Sequence, residues 1–272
     1  MRGGNSGPGW AGLAWAALPL VGAGLALAVL RLGQAGALVV ATARLVGQMA
    51  LLALVLGWIV AADSPALVLG VALLMLATAA HAVGSRRREA RGRTWLRVEA
   101  FGAMAVGAVV VMVVATRLAL GVEPWYDPRT VLPMLGMVLG NAVSAVALAA
   151  ERFEADLRAD AVLVERRLCL GATARQASAP ARRAAVAAAL APILSNMSLA
   201  GIVAIPGMTT GQLLAGADVG SAVRYQILLY LAIATTVIVA VLILLEIRFR
   251  RAFTADHQLR RPAGDPSGSI GS

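Results

Sequence analysis

Polar and sulfur-bearing side chains interrupt the apolar runs of this sequence at a few places where they can do chemistry. Asn141 lies four residues after Met137, and Asn196 sits directly before Met197. The segment Pro206-Gly-Met-Thr-Thr-Gly-Gln212 adds Met208, Thr209, Thr210 and Gln212, and Arg44 and Gln48 lie four apart in an earlier run. Amide and hydroxyl oxygens can replace part of a cation's hydration shell, and thioethers bind soft metals. Iron favours harder oxygen and nitrogen donors, so methionine alone says little about iron, and core filling is its default role. Gly136 and Gly140 precede Asn141 at the small-xxx-small spacing of close helix packing, which gives the asparagines a structural reading beside a path-lining one. His81 and His257 are isolated, so no metal-ligand set is assigned.

Elements that hold such residues in place must be sought in a membrane. The chain has 272 residues, of which 60% are hydrophobic and 14% charged, with a mean hydropathy of +0.80. Soluble domains carry roughly 25% charged residues and lack repeated apolar runs of about 20. Seven apolar spans are expected, at about 11–30, 38–60, 65–84, 98–120, 131–150, 184–205 and 225–247. Each is long enough to cross roughly 30 Å of hydrocarbon as a helix. The expected fold class is all-α: a polytopic integral membrane helix bundle forming one transmembrane domain over 1–260, followed by a Pro-, Gly- and Ser-rich disordered tail over 261–272.

The net charge is +10, carried entirely on arginine. Most of these arginines lie in Arg86–Arg97, Arg152–Arg183 and Arg248–Arg261, each flanking apolar segments. That is the positive-inside pattern, and it argues against a nucleic-acid partner. It predicts cytoplasmic loops at 85–97 and 151–183 and a cytoplasmic C-terminus. The loops at 61–64, 121–130 and 206–224 then face outward, with the N-terminus, in a multi-pass protein of a bacterial inner (plasma) membrane. The one cysteine, Cys169, excludes an intrachain disulfide. Trp125 and Tyr126 read as interfacial anchors.

An arginine inside a span faces the bundle with a partner or reaches for the interface. For Arg44 the partner would be Glu99; the alternative leaves both at the cytoplasmic surface. Pro206 to Gly216 is too short and glycine-rich for a span and reads as an outer re-entrant turn or short helix, either a gate or a rigid cap. Segment 151–183 is charged yet periodic. Leu157, Ala161, Val164 and Leu168 share one helical face, Gly171 is a helix stop, and Thr173-x-x-Gln176 is a capping box. The reading is helix, glycine turn, helix: an elbow projecting from the membrane. Glu165 to Gly171 also has the spacing of the coupling motif of ABC permeases, Glu-Ala-Ala-x-x-x-Gly, with arginines where that motif has alanines; an ordinary charged linker is the alternative.

The wider pattern resembles the FetB-type iron-export permease family, whose plant relatives are linked to aluminium tolerance. The resemblance is carried by Arg44-Leu-Val-Gly-Gln48, Pro124-Trp-Tyr-Asp-Pro128, Leu135-Gly-Met-Val-Leu-Gly-Asn141, Glu165 to Gln176, Asn196-Met197, Ile205 to Gly216, Arg224-Tyr-Gln226 and Asp256-His-Gln-Leu259. The family usually has a second methionine where this chain has Thr209, and tends to have proline where it has Val219. The resemblance implies an iron-exporting permease subunit of an ABC transporter, a homodimer within the assembly, paired with a separate cytosolic ATPase. Glu165, Gly171, Ala172, Thr173 and Gln176 would couple to that ATPase. Arg44, Gln48, Asn141, Asn196, Met197, Pro206, Met208, Thr210 and Gln212 would line the path or gate. A phosphate-cradling Gly-x-x-x-x-Gly-Lys loop needs lysine, which this chain lacks, so it is expected to be no enzyme itself and to need no cofactor. An ATP-independent metal transporter, a permease for another metal, metal complex or small organic molecule, and a membrane scaffold are the competing classes.

Overall fold

The computed structural model describes residues 9–86, 90–254, 258 and 259. His257, Asp256 and the tail from 261 lie outside the described residues. The chain divides into two compact units, Met1–Ser64 and Pro65–Ser272.

The first unit is a helical hairpin of α1 (Trp10–Val29) and α2 (Ala35–Ala62). The connecting turn places Arg31 and Gly33 at positive φ. Nearly all of both surfaces is open, Trp15 and Leu54 among them. Helices that are apolar all round expose such side chains to lipid rather than to water.

The second unit holds α3 (Pro65–Ser85), α4 (Ala90–Val113, continued by a single π-helical stretch over Val114–Ala119), α5 (Pro128–Ala159), α6 (Ala161–Cys169), α7 (Ala174–Ala177), α8 (Ala179–Leu199), α9 (Gly207–Leu214) and α10 (Val219–Ala252). Among the described residues no strand forms, only isolated bridges. The all-α membrane bundle expected from the sequence is the architecture found.

Helix α5 runs through the centre, with α3, α8 and α10 packed around it and α4 closing the ring between α3 and α10. The Trp-Tyr-Asp-Pro motif supplies its start. Asp127 caps the helix by accepting from the Arg129 N–H at 3.3 Å and the Thr130 hydroxyl at 2.6 Å. Pro128 occupies the first turn, where its missing N–H costs nothing. At 32 residues α5 is about 48 Å long, well beyond the hydrocarbon thickness, so its last turns leave the membrane.

Two glycines set helix spacing. A methyl group at Gly107 on α4 would lie 3.0 Å from the Thr236 carbonyl oxygen of α10. One at Gly84 on α3 would lie 2.3 Å from the Arg97 side chain. Neither helix pair could approach as closely with alanine there.

Six of the described helices are long and apolar enough to cross a membrane. The expected span at 184–205 is the exception. Its residues form α8, which starts in the elbow with Arg182 and Arg183 in its first turns and stops at Leu199. Residues 200–205 leave the helix through Gly201 at φ +81° and a bridge between Ala200 and Ala204. Helix α9, eight residues long, is the short helix expected beyond it.

Candidate functional site

The elbow is built at one end of α5. The helix breaks at Asp160, α6 follows, and Gly171 turns the chain at φ +89°, a conformation glycine adopts without strain. Thr173 then opens α7. Its hydroxyl accepts from the Gln176 N–H at 3.3 Å, and the Gln176 side chain accepts from the Thr173 N–H at 2.9 Å, so both halves of the expected capping box form. The face predicted to be apolar turns inward: Leu157 and Val164 are buried, Ala161 and Leu168 half-buried. Glu165 is half-buried, while Gly171, Thr173 and Gln176 are exposed. Arg167 donates to the Ala177 carbonyl at 3.2 Å, tying α6 across the turn to α7.

What anchors the elbow is a cluster the sequence reading left out. Glu246, near the end of α10, accepts from Arg175 of α7 at 2.8 Å and from Arg250 at 2.9 Å, and lies 3.7 Å from Arg182 of α8. One turn on, Phe249 has both Arg175 and Arg182 at 5.3 Å from its ring centroid. Two cations share one ring and one carboxylate, so elbow and α10 are joined by four interactions of opposite polarity. The available signal was Glu246 and Phe249 at i, i+3 spacing in an otherwise apolar and basic helix end, of which only the arginines were read, for topology.

Beside this cluster Glu99 of α4, expected to pair with Arg44, is occupied by two arginines of α10. Arg251 bonds Oε1, and Arg248 holds Nε at 2.5 Å from Oε2 as an ion pair without hydrogen-bond alignment. Arg248 also bonds Glu154 of α5, and Arg251 stacks over Trp95 at 4.1 Å. The network links α4, α5 and α10 at the elbow end. Arg44 and Gln48 lie on the exposed surface of α2, in the first unit.

The path candidates fall in two places. Midway along α5, Gly140, Asn141, Ser144, Ala145, Ala189, Pro192, Ile193 and Val237 line an open groove of about 270 Å³ between α5, α8 and α10, with Gly140, Ser144 and Pro192 exposed. Asn141 donates its amide to the Met137 carbonyl at 2.9 Å. At the end away from the elbow, α9 folds against the start of α10. Met208 packs with Met112, Met134, Met137 and Tyr225 around Leu229. Thr209, which stands where the resembled family has methionine, is buried and donates to Gln226 Oε1 at 3.2 Å. Thr210 is exposed and turns its hydroxyl back to the Pro206 carbonyl at 3.4 Å, while Pro206 and Gln212 are half-buried. Asn196 is exposed in the last turn of α8 and Met197 half-buried. The structure thus brings Asn141 to an open groove and gathers Met208 with α9 at one end; Asn196 joins neither set of contacts. Among the described residues no group of three or more His, Cys, Asp or Glu is placed to hold a metal.

Asp218 caps α10, accepting from the Ser221 N–H at 3.0 Å. That bond is the main reason its carboxyl titrates below the ordinary 3.8; the Ser221 hydroxyl and the charge of Arg224 add to it, against some desolvation.

Comparison with known proteins agrees with this architecture. Residues 10–253 match the profile described as an uncharacterised protein family, UPF0014. A UPF0014 membrane protein of Synechocystis is 34% identical over 255 residues, covering 92% of this chain and 96% of its own. The probable iron export permease protein FetB of Escherichia coli is 29% identical over 216 residues, 79% of this chain and 81% of its own. Protein ALUMINUM SENSITIVE 3 of Arabidopsis thaliana is 28% identical over 193 residues, 71% and 68% of the two chains. No solved structure matches. A bundle of apolar helices with a charged elbow and a match along almost its whole described length make this chain a member of the UPF0014 membrane protein family.

Proposed function

We propose that the chain is the membrane-spanning permease subunit of an ATP-driven exporter that moves iron or a related metal out of the cytoplasm. ATP is hydrolysed by a separate cytosolic subunit, and two copies of the chain form the translocating pair. The chain carries no ATPase site of its own. It resides in a bacterial plasma membrane with its N-terminus outside and its elbow and C-terminus in the cytoplasm, an orientation supported by the arginine distribution.

The observation that carries this reading is the elbow. A charged helix-turn-helix at one end of the bundle, its apolar face packed on the core, is capped at Thr173, turned at Gly171 and clamped to α10 through Glu246 and Phe249. Such a part receives a push from below and passes it to a transmembrane helix. Leu170, at 86% exposed, stands at the tip. The likeness to a probable iron export permease supports the substrate class of this reading.

The test is efflux of radiolabelled iron from preloaded cells that lack the chain, complemented with wild type or Glu165→Ala. Restoration by wild type alone supports both the substrate and the coupling role. Unchanged efflux in every strain removes iron as substrate. A Leu170→Cys crosslink to an ATPase then decides separately whether the permease reading stands.

A further inference from the structure

We propose that a second copy of this chain docks on the outward face of α5 and α8, over the open groove at Gly140, Ser144 and Pro192, with Glu151 of each copy against Arg183 of the other. The inference deepens the permease reading above by naming the surface through which its two copies meet, and it rests on that reading for the role of the pair.

Three observations carry it. The first is what this face lacks. Other outward faces of the second unit carry large apolar side chains, Val98, Val109 and Val110 on α4 and Ile227, Leu231 and Leu242 on α10 among them. Such faces suit lipid. Helix α5 exposes no large apolar side chain along its length, and between residues 131 and 150 its exposed residues are Pro133, Gly140 and Ser144. Beside it α8 exposes Ala187, Ala191 and Ser195, four apart on a single stripe. Gly140 and Ser144 stand about 18 and 24 Å along α5, within the roughly 30 Å hydrocarbon layer. Small side chains at that depth let another helix come close, and such packing drives association in lipid.

The second is the state of the hydroxyls. Those of Thr116 and Ser198 turn back to carbonyls of their own helices, at Met112 and Leu194, at 2.7 and 2.8 Å. Those of Ser144 and Ser195 make no hydrogen bond among the described residues. Lipid tails offer neither donor nor acceptor, whereas a facing serine offers both.

The third is charge. Helix α5 ends in the elbow and α8 starts there, so Glu151 and Arg183 both lie at the elbow end of this face. Both are exposed, and neither has an ion-pair partner among the described residues, although Arg152 and Arg158 nearby are paired with Asp156 and Glu154. A two-fold axis through the groove sets α5 of one copy against α8 of the other. Each Glu151 then meets an Arg183, so the face is complementary to itself in charge, as an isologous contact must be.

The experiment reconstitutes the purified full chain in liposomes. Cys169→Ser removes the native thiol, and Leu170→Cys at the elbow tip carries a donor or an acceptor dye. Energy transfer against the protein-to-lipid ratio measures pairing. Ser144→Leu, which lipid accepts on a lone copy, raises the ratio at half-maximal transfer about tenfold by blocking close approach. Glu151→Arg raises it about tenfold as well, by setting arginine against arginine. Adding Arg183→Glu to Glu151→Arg brings it back, because the pairs re-form with their signs exchanged. No transfer at any ratio, transfer that neither substitution shifts, or failure of Arg183→Glu to restore it would each overturn the proposal. So would a disulfide formed within single copies between the cysteines of Ser144→Cys and Gly47→Cys, which puts the chain's own hairpin in the groove. Glu151 lies beyond the hydrocarbon, so its arm decides the matter even where Ser144→Leu does not insert. Neither ATPase nor metal is present. Loss of the efflux result leaves this contact standing, and pairing through another face leaves the permease reading standing.

Discussion

Glu99 of α4 and Arg248 of α10 meet 2.5 Å apart with only 5% and 11% of their side chains exposed, the most enclosed ion pair among the described residues. Arg251 and Glu154 complete the pairings on either side. Taking one partner from a buried pair leaves an uncompensated charge and costs about 3–5 kcal/mol, more than replacing both with apolar groups. Glu99→Gln is therefore expected to lower the thermal midpoint of the purified protein markedly. Glu99→Gln combined with Arg248→Met is expected to recover part of the loss, because the buried arginine goes with its carboxylate: Glu154 keeps Arg158 at 3.0 Å, and Arg251, 42% exposed, is left with solvent. Tryptophan fluorescence melting of the three proteins checks the order.

The elbow clamp behaves differently, because its groups are partly solvated. Arg175 is 59% exposed and Glu246 27%. Exposed ion pairs contribute about 0.2–1 kcal/mol and exposed cation–π contacts about 0.5–1 kcal/mol. Glu246→Gln should leave global stability nearly unchanged while opening the elbow locally, whereas Phe249→Leu opens it at the added cost of trimming a buried ring. Hydrogen exchange over residues 161–178 is the readout, with faster exchange in both variants. Arg175→Gln should speed exchange in the same way if the clamp is electrostatic.

At the turn, Gly171 sits at φ +89°. A side chain in left-handed backbone costs about 1–2 kcal/mol, and loss of the Thr173 cap about 1 kcal/mol. Gly171→Ala and Thr173→Val are each expected to reduce export in cells with unchanged membrane insertion. Immunoblotting of membranes beside the efflux assay separates the two effects.

The Asp218 cap gives a pH signature. Its carboxyl titrates lower in the folded protein than in the unfolded chain, so its stabilising effect is fully present above the ordinary 3.8. It fades as pH falls through the lowered folded value. Wild type and Asp218→Asn should therefore have parallel melting profiles from neutral pH down to about 4. Below that, wild type alone loses the contribution of this group. Melting temperatures across that range test the sign.

How much of this was legible in sequence depends on the range of the interaction. Thr173 and Gln176 cap one another three residues apart, and Asp127 caps the helix it precedes; both are local and readable from spacing. The burial of Leu157 and Val164 follows from helical periodicity. Glu99 was a different case. Its charge inside an apolar run announced a partner, but arginines at 44, 248 and 251 were equally available, and only the packing of α10 along α4 chose between them. Glu246 and Arg175 are 71 residues apart, and no periodicity connects them. The span expected at 184–205 shortened because apolar content alone carried it past Leu199, where Gly201 redirects the backbone. The groove was half visible: Asn141 and Gly140 stood out, whereas the empty space beside them exists only in three dimensions.

The backbone of helix α10 comes close to α4 where Thr236 meets Gly107. Gln226, which holds α9 through Thr209, and Glu246, which holds the elbow, stand ten residues to either side of Thr236. Each arm of the rod is thus about 15 Å long. Mechanically this is a balanced lever with its fulcrum at a glycine. A tilt of about 5° carries each end roughly 1.3 Å, in opposite directions, over arms of that length. Val237, in the groove wall, sits next to the fulcrum and hardly moves.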